Sequence, residues 1–280
     1  MPIVEGNIRK MHASAVDGLA SYSLPIGEHN LAIDPLIGQT LSVRWNGDIH
    51  CVHCNRKTRK SFNQGYCYPC VMKLAQCDTC IIKPEQCHYD QGTCREPEWG
   101  EAHCLTDHFV YLANTGTVKV GITRHVSDGI SSRWLDQGAT QAIPLLRVKD
   151  RLTSGLVETA CKQHIADKTN WRTMLKGTPD DVDLAARKQE LLALIADDIA
   201  TIQQQQGLQS VAEVDGPAVA IRYPVSHYPE KIKSINLDKD GEFAGQLQGI
   251  KGQYWLLDGD RVINLRKYAG YHLHIEYQGA

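Results

Sequence analysis

The chain has 280 residues, of which 42% are hydrophobic and 22% are charged, which is the composition of an ordinary globular protein. Its formal net charge of −2 excludes a general electrostatic attraction to nucleic acid, so a nucleic-acid surface has to be a local basic patch. The first residues lack the apolar core of a signal peptide, and no run approaches the roughly 18 apolar residues of a membrane span. We therefore expect a soluble, cytoplasmic protein.

The two ends of the chain carry similar strand patterns. Residues 1–50 and 216–280 both contain short runs of alternating apolar residues, separated by glycine and proline turns. An alignment of Tyr22–Gly47 with Tyr254–Gly279 needs no gap and pairs six identical residues: Tyr22 with Tyr254, Leu24 with Leu256, Gly27 with Gly259, Gly38 with Gly270, Leu41 with Leu273 and Gly47 with Gly279. The pattern predicts two related β units, which pack together if the similarity reflects duplication rather than shared β composition.

Nine of the ten cysteines lie between positions 51 and 104, in a stretch with few long apolar runs. The first four follow the spacing C-x2-C-x12-C-x2-C and are Cys51, Cys54, Cys67 and Cys70. Each C-x2-C turn aims two thiolates at one point, and two such turns complete the tetrahedral site that Zn²⁺ prefers. A stretch this poor in apolar residues buries too little surface to fold alone, so metal binding is expected to supply folding energy.

A second cysteine cluster follows the first and predicts a second metal site. Its expected ligands are Cys77, Cys80, Cys87 and Cys94. Four further side chains remain open as alternative ligands: Cys104, His88, His103 and His108. Thiolates alone can also hold an iron–sulfur cluster, although the paired spacing of the first cluster favours zinc. We therefore expect residues 51–104 to form a module with two structural Zn²⁺ ions.

Basic residues occupy the loop between the two halves of the first cluster: Arg56, Lys57, Arg59 and Lys60. The aromatic residues Phe62, Tyr66 and Tyr68 follow closely. Cations interleaved with aromatic rings can hold phosphates and stack bases, so this loop is a candidate surface for DNA or RNA. A solvated loop that binds no ligand is the alternative interpretation.

Residues 105–215 predict a domain of mixed strands and helices. The runs FVYLAN and VKVGIT flank a Thr-Gly turn and predict a β-hairpin. A short helix around SSRWLDQ, the strand AIPLLRV and a helix within SGLVETACKQHI follow in that order. A long amphipathic helix within residues 181–206 ends the domain and is interpreted as a packing element.

This order of elements resembles the GIY-YIG nuclease superfamily and is closest to the branch whose second motif is Lys-Val/Ile-Gly. The residues that carry the resemblance are Tyr111, Lys119 with Gly121, Arg133, Glu158 and Asn170. Two positions depart from the pattern, because Phe109 stands where the family has glycine and Lys119 stands where many members have a second tyrosine. The whole chain also resembles an uncharacterised bacterial family with the same cysteine-rich front.

The resemblance implies a metal-dependent endonuclease acting on DNA or RNA. In that role Glu158 would hold Mg²⁺ or Mn²⁺ and Arg133 would bind the phosphate. Tyr111 would orient or deprotonate the attacking water, Lys119 would lower the local pKa by its charge, and Asn170 would complete the set. A nuclease-derived domain that binds without cutting, a non-catalytic zinc-dependent nucleic-acid binding protein and a protein-interaction module remain alternatives.

The fold expected from these parts is α+β. It combines a GIY-YIG-like α/β domain over residues 105–215 with a zinc-binding cysteine module over residues 51–104. The terminal β units of residues 1–50 and 216–280 complete the chain.

Overall fold

The structure is a computed structural model that describes residues 2–127 and 129–278. Its fold is mixed α/β, with sheets of seven, five and three strands in this part of the chain. The strands are β1 (Ile3–Asn7), β2 (His12–Val16), β3 (Leu19–Ile26), β4 (His29–Ala32), β5 (Thr40–Ile49), β6 (His108–Asn114), β7 (Val118–Thr123), β8 (Gln141–Val148), β9 (Val211–Glu213), β10 (Val219–Ala220), β11 (Lys233–Ser234), β12 (Glu242–Lys251), β13 (Tyr254–Leu257), β14 (Arg261–Asn264) and β15 (Tyr271–Tyr277). The helices are α1 (Tyr68–Lys73), α2 (Pro97–His103), α3 (Ser132–Asp136), α4 (Arg151–Cys161), α5 (Trp171–Leu175), α6 (Leu184–Leu194), α7 (Ala196–Gln206) and α8 (Leu237–Asp240). Among the described helices, none is both long and apolar enough to cross a membrane.

The seven-stranded sheet joins the two ends of the chain. Its strand order is β1-β15-β5-β12-β13-β14-β11, so β5 lies between two strands of the C-terminal segment. Val43 of β5 is opposite Phe243 of β12 on one side and Ile275 of β15 on the other, and all three side chains are buried. The two terminal segments therefore share one sheet and one apolar core rather than forming separate units.

The two aligned end segments also have the same order of elements. The first contains β3, β4, a 3-10 turn and β5, and the second contains β13, β14, a 3-10 turn and β15 at the aligned positions. The paired turn glycines all have positive φ: 55° at Gly27 and 64° at Gly259, and 90° at both Gly38 and Gly270. Residues with a Cβ rarely adopt this left-handed backbone, so the same turns need glycine in both segments.

Strand pairing follows the same relationship. Gly6 of β1 lies opposite Leu273 of β15, whereas Gly245 of β12 lies opposite Leu41 of β5. Leu41 and Leu273 are aligned positions. The last strand of each terminal segment therefore pairs with a strand of the other segment: β15 with β1, and β5 with β12. This exchange favours duplication over chance similarity, although the aligned Gly279 lies outside the described residues.

The five-stranded sheet has β6 at its centre, hydrogen-bonded to β7 and β8, with β9 and β10 both paired to β8. Side chains alternate along β6 because successive residues of a strand point to opposite faces. Val110 and Leu112 belong to an apolar core with Val157 of α4 and residues of α6 and α7. Tyr111 and Ala113 belong instead to the apolar core that the two terminal segments share. These two segments together are called the terminal β domain. The sheet is therefore covered on both faces.

One predicted element is divided in the structure. The expected long helix becomes α6 and α7, which meet at the buried Ile195. Ile195 has φ −103° and ψ 12°, outside helical values, so the chain bends there. The bend lets both helices pack on the five-stranded sheet.

The cysteine module contains helices α1 and α2 and a series of 3-10 turns: Ala75–Cys77, Thr79–Ile81, Pro84–Gln86 and Tyr89–Gln91. Its turn at Pro84–Gln86 packs against α4 at Gly155. A Cβ at Gly155 would lie 2.2 Å from the backbone nitrogen of Glu85, so only glycine allows this approach. The module is thereby held directly against the helix that carries Glu158.

Candidate functional site

The first cysteine cluster is assembled as the spacing predicts. The sulfur atoms of Cys51, Cys54, Cys67 and Cys70 all lie within 4.8 Å of one another, and Cys54 Sγ is 3.7 Å from Cys67 Sγ. Zinc–sulfur bonds of about 2.3 Å in a tetrahedron require sulfur–sulfur distances of about 3.8 Å, which this separation matches. The four cysteines can therefore hold one metal ion, and their chemistry suits zinc.

The backbone around Cys51 favours its thiolate. Burial by itself raises the pKa of Cys51, but hydrogen bonds from the backbone of Cys54, Cys67 and His53 outweigh it and lower that pKa to about 6. Metal binding requires the deprotonated sulfur, so this arrangement lowers the cost of losing the proton. Cys67 directly precedes α1 and Cys70 lies within that helix, which fixes the second pair.

The predicted second ligand set is only partly brought together. Cys80, Cys87 and Cys94 line a small void together with Cys104, which the sequence offered as an alternative. Cys77 does not line this void and faces a larger cavity instead. Of the predicted set, Cys77 therefore lies apart from Cys80, Cys87 and Cys94, beyond the extended residue Asp78.

The alternative histidine ligands have different positions. His88 lines the same void as Cys80. The ring of His103 stacks on Trp99 at a centroid distance of 4.3 Å, and its Nδ1 lies 2.9 Å from the Trp99 carbonyl oxygen. His108 lines the larger cavity rather than this void. Only His88 among the three therefore stays near the second cysteine group.

The basic loop of the first cluster points to solvent. All four of its cations are exposed: Arg56, Lys57, Arg59 and Lys60. Lys57 Nζ lies 2.5 Å from Asp48 Oδ1, and the Lys60 ammonium lies 5.4 Å from the centroid of the Phe62 ring. None of the four lines the larger cavity, so this loop is a separate surface.

The larger cavity lies where the three parts of the chain meet and has a volume of about 880 Å³. The terminal β domain contributes Arg9 and Arg266, and the cysteine module contributes Pro84. The central domain, residues 105–215, contributes Lys119 and Glu158. The lining carries seven cationic side chains, Arg9, Lys10, Lys119, Arg124, Arg133, Arg151 and Arg266, against four acidic ones, Asp78, Asp136, Glu158 and Asp167. This excess of positive charge suits an anionic ligand in a chain whose net charge is negative.

Tyr111 lies directly behind the wall of this cavity. Strand pairing sets it opposite Gly121, and a Cβ at Gly121 would lie 2.6 Å from the Tyr111 hydroxyl oxygen. That hydroxyl is fully buried and donates a hydrogen bond of 2.9 Å to Gln137 Oε1. Burial raises the pKa of Tyr111 to about 12, against the opposing effect of Arg133. The Tyr111 side chain therefore leaves no room for a Cβ at position 121. The Tyr111 hydroxyl stays protonated at neutral pH.

Lys119 lines the cavity from β7 and is only 4% exposed. Burial and the nearby charge of Arg133 lower its pKa to about 8, against the opposing charges of Glu158 and Asp167. In the described part of the chain, the ammonium has no hydrogen-bond or ion-pair partner. An amine with this pKa exists partly in its neutral form near pH 8 and can then accept a proton.

Two carboxylates meet at the cavity beside Lys119. Glu158 on α4 and Asp167 in the following loop are joined by Lys162, whose Nζ lies 3.1 Å from Glu158 Oε2 and 3.5 Å from Asp167 Oδ2. The loop is held there because the Val120 amide donates a 2.9 Å hydrogen bond to the Ala166 carbonyl. Sequence reasoning missed Asp167, since this pairing with β7 leaves no periodic signal in a loop.

Asn170 is not brought to this cavity. It is the exposed N-cap of α5, and its Oδ1 accepts hydrogen bonds from the amides of Arg172 at 3.1 Å and Thr173 at 3.3 Å. Asparagine at such a position satisfies otherwise unpaired helix amides. The structure therefore gives Asn170 a capping role apart from Lys119 and Glu158.

A buried histidine, His108, also lines the cavity. His108 Nδ1 lies 2.7 Å from the Thr106 carbonyl oxygen, and within the described residues its buried Nε2 has no partner. Burial lowers the pKa of His108 to about 4, so the ring is neutral at physiological pH. The sequence did mark His108, but as an alternative metal ligand.

Comparison with known proteins gives one match. A family model described as "Protein of unknown function (DUF2797)" matches residues 38–273, which include all the cysteines and every residue of the central domain. No curated protein matches the chain. No solved structure matches it either.

Proposed function

We propose that this chain, which belongs to the DUF2797 family, is a divalent-metal-dependent phosphodiesterase that cleaves DNA or RNA in the larger cavity. The observation that carries the proposal is the meeting of Lys119, Arg133 and Glu158 on one positively charged concave surface, with Tyr111 behind it. The order of these residues along hairpin, helix, strand and helix is similar to that of GIY-YIG nucleases. Distant chain positions that meet in one cavity support a chemical role over separate structural ones.

Binding of the phosphodiester falls to the cations of the cavity. Arg133 is placed beside the Tyr111 hydroxyl, and its planar guanidinium can donate two parallel hydrogen bonds to phosphate oxygens. Arg9 and Arg266 line the same cavity from the terminal β domain and can contact neighbouring phosphates of the same strand. The duplicated β domain thereby becomes part of the substrate site.

The carboxylates fit a divalent cation. Mg²⁺ and Mn²⁺ prefer oxygen ligands and in such enzymes use one or two carboxylates plus water, which Glu158 and Asp167 can supply. Lys162 bridges the two carboxylates at 3.1 and 3.5 Å, so a divalent ion bound there would have to displace that ammonium. When bound, such an ion stabilises negative charge on the leaving oxygen.

Proton transfer is assigned to Lys119 rather than to Tyr111. Water attacks the phosphorus atom and its proton passes to the neutral Lys119 amine. The bond from phosphorus to the leaving ester oxygen breaks, and that oxygen takes a proton from solvent. Tyr111 is a weak base in this setting, because its pKa is about 12 and its hydroxyl already donates to Gln137. Its contribution is to position Arg133 and close the cavity wall.

Cleavage assays with the full chain test the proposal. Labelled single-stranded, double-stranded and branched DNA and RNA are incubated with Mg²⁺ or Mn²⁺, and products are resolved by electrophoresis. We expect cleavage that Glu158→Gln abolishes and that Lys57→Ala, a change in the exposed basic loop, leaves intact.

Two other outcomes would replace the proposal. Salt-sensitive binding without cleavage, weakened by substituting Arg56 and Lys60, would identify a non-catalytic nucleic-acid binding protein. Absence of any nucleic-acid binding at low salt would favour a protein-interaction module.

A further inference from the structure

We propose that Cys80, Cys87, Cys94 and Cys104 hold a second zinc ion, and that Cys77 has no part in it. All four line one small void beneath helix α2. Each comes from a different turn of the module. Cys80 lies within a 3-10 turn, Cys87 directly follows another, Cys94 lies in the next loop, and Cys104 ends α2.

The void has the size for one small ligand. Its volume is about 10 Å³, close to that of a single water-sized sphere. The four cysteines form no disulfide, and in the described part of the chain their sulfur atoms have no hydrogen-bond partner. The four thiols line one ion-sized void in a module with almost no apolar core of its own, and their chemistry suits zinc, although their sulfur atoms are less closely grouped than those of the first cluster.

Two other possible metal ligands, Asp78 and His88, line the void, but each already has a polar partner. The ligand atoms of Asp78, Cys80 and His88 lie within 4.8 Å of one another, so these side chains form the competing set. Asp78 Oδ2 lies 2.6 Å from Arg95 Nε, which neutralises the carboxylate. The His88 ring has Nδ1 at 2.8 Å from Thr93 Oγ1 and Nε2 at 3.6 Å from Asp78. The thiols, which lack such partners, are the better ligands.

The backbone explains why Cys77 is excluded despite its C-x2-C spacing to Cys80. Cys77 ends one 3-10 turn and Cys80 lies in the next, with Asp78 between them in an extended conformation at φ −67° and ψ 156°. A thiolate pair that shares a metal needs one tight turn, whereas this extended residue sends the two side chains to different sides. Cys77 faces the larger cavity, and its carbonyl accepts a hydrogen bond from Asn63.

The second zinc site would also fix the helix that carries Glu158. The Arg151 amide at the start of α4 donates a 2.8 Å hydrogen bond to the Cys104 carbonyl, and the Arg151 guanidinium donates to the Ile81 carbonyl. Gly155 on the next turn of α4 packs against Glu85. This consequence for catalysis rests on the proposed function, but the zinc site itself does not.

Metal counting on single variants of the full chain tests the assignment. Zinc and iron are measured by mass spectrometry after purification from zinc-supplemented medium and exhaustive dialysis. We expect two zinc ions per wild-type chain and one in Cys94→Ser or Cys104→Ser. Cys77→Ser is the matched control, a buried cysteine of the same module, and should retain two.

A wild-type chain with one zinc ion, or with iron in the second position, would overturn the proposal. So would loss of an ion in Cys77→Ser but not in Cys104→Ser. X-ray absorption of the wild-type chain gives a test that needs no variant. Sulfur neighbours alone at about 2.3 Å are expected, whereas a shell of nitrogen or oxygen near about 2.0 Å would point to His88 or Asp78 instead. Neither measurement depends on cleavage activity.

Discussion

Replacing Lys119 by methionine should stabilise the protein and, if the proposed function holds, slow cleavage by at least about a hundredfold. Methionine keeps most of the length of the buried stem and removes an ammonium that is 4% exposed and lacks an ion-pair partner within the described residues. The pKa of Lys119 falls from 10.5 to about 8 on folding, chiefly through burial. At roughly 1.4 kcal/mol per pKa unit, the charged form costs the folded state about 3 kcal/mol. We expect Lys119→Met to recover about 1–3 kcal/mol of unfolding free energy at pH 7.

The pH dependence of stability follows from the same shift. Between pH 8 and pH 10.5 the unfolded chain keeps the Lys119 proton while the folded chain has lost it, so the free energy of unfolding rises with pH in this window. Below pH 8 both states are protonated, and the cost of burying the charge is constant. The gain from Lys119→Met should therefore be largest below pH 8 and should vanish as the pH approaches 10.5.

Lys251 supplies the matched control. It is also fully buried, with a pKa lowered by burial to about 8, but its Nζ donates a 2.8 Å hydrogen bond to the Gly177 carbonyl away from the cavity. Urea denaturation at pH 7 and pH 10 measures stability, and initial cleavage rates measure activity. Lys119→Met should lower cleavage by about 10²–10⁴-fold, the range for loss of a general base, whereas Lys251→Met should leave cleavage unchanged. A Lys119→Met protein that is less stable at pH 7 and cleaves normally would refute the reasoning.

Three further predictions concern packing and metal. Gly121→Ala should destabilise the fold by about 1–3 kcal/mol in urea denaturation, because its Cβ would meet the Tyr111 hydroxyl at 2.6 Å; an unchanged midpoint would contradict this contact. Gly155→Ala should cost about 3 kcal/mol, since its Cβ would lie 2.2 Å from the Glu85 nitrogen, and should expose the cysteine module to protease. Zinc removal by a strong chelator should cause proteolytic cuts within residues 51–104; resistance of that segment after complete metal loss would argue against metal-supplied folding energy.

The first metal site could be predicted from sequence because its ligands come in local pairs. The C-x2-C spacing holds Cys51 with Cys54, and Cys67 with Cys70, in one turn each. Only the contact between these two turns depends on the tertiary structure. The second cluster offered the same spacing at Cys77, but an extended backbone at the next residue separates it from its neighbours. Cys80, Cys87, Cys94 and Cys104 come from separate turns, so their spacing names them as candidate ligands without showing which of them share one site.

In the candidate active site, too, some residues could be predicted from the sequence and others could not. Lys119, Arg133 and Glu158 lie on a hairpin and two helices whose order is visible in the sequence, and the structure brings them to one cavity. Asp167 depends on a loop that pairs with β7, and Arg266 arrives from a distant part of the chain. Contacts of this kind depend on tertiary packing, which neither periodicity nor motif spacing encodes.

Hydrolysis of a phosphodiester bond in the cavity can be tested by following the oxygen atom of the attacking water. Wild-type protein and Glu158→Gln are incubated with an oligonucleotide and Mn²⁺ in oxygen-18-labelled water, and the products are weighed by mass spectrometry. Wild-type protein should yield fragments with one oxygen-18 atom on the terminal phosphate, and Glu158→Gln should yield none. Intact oligonucleotide with the wild-type protein, or equal labelling with both proteins, would contradict this prediction.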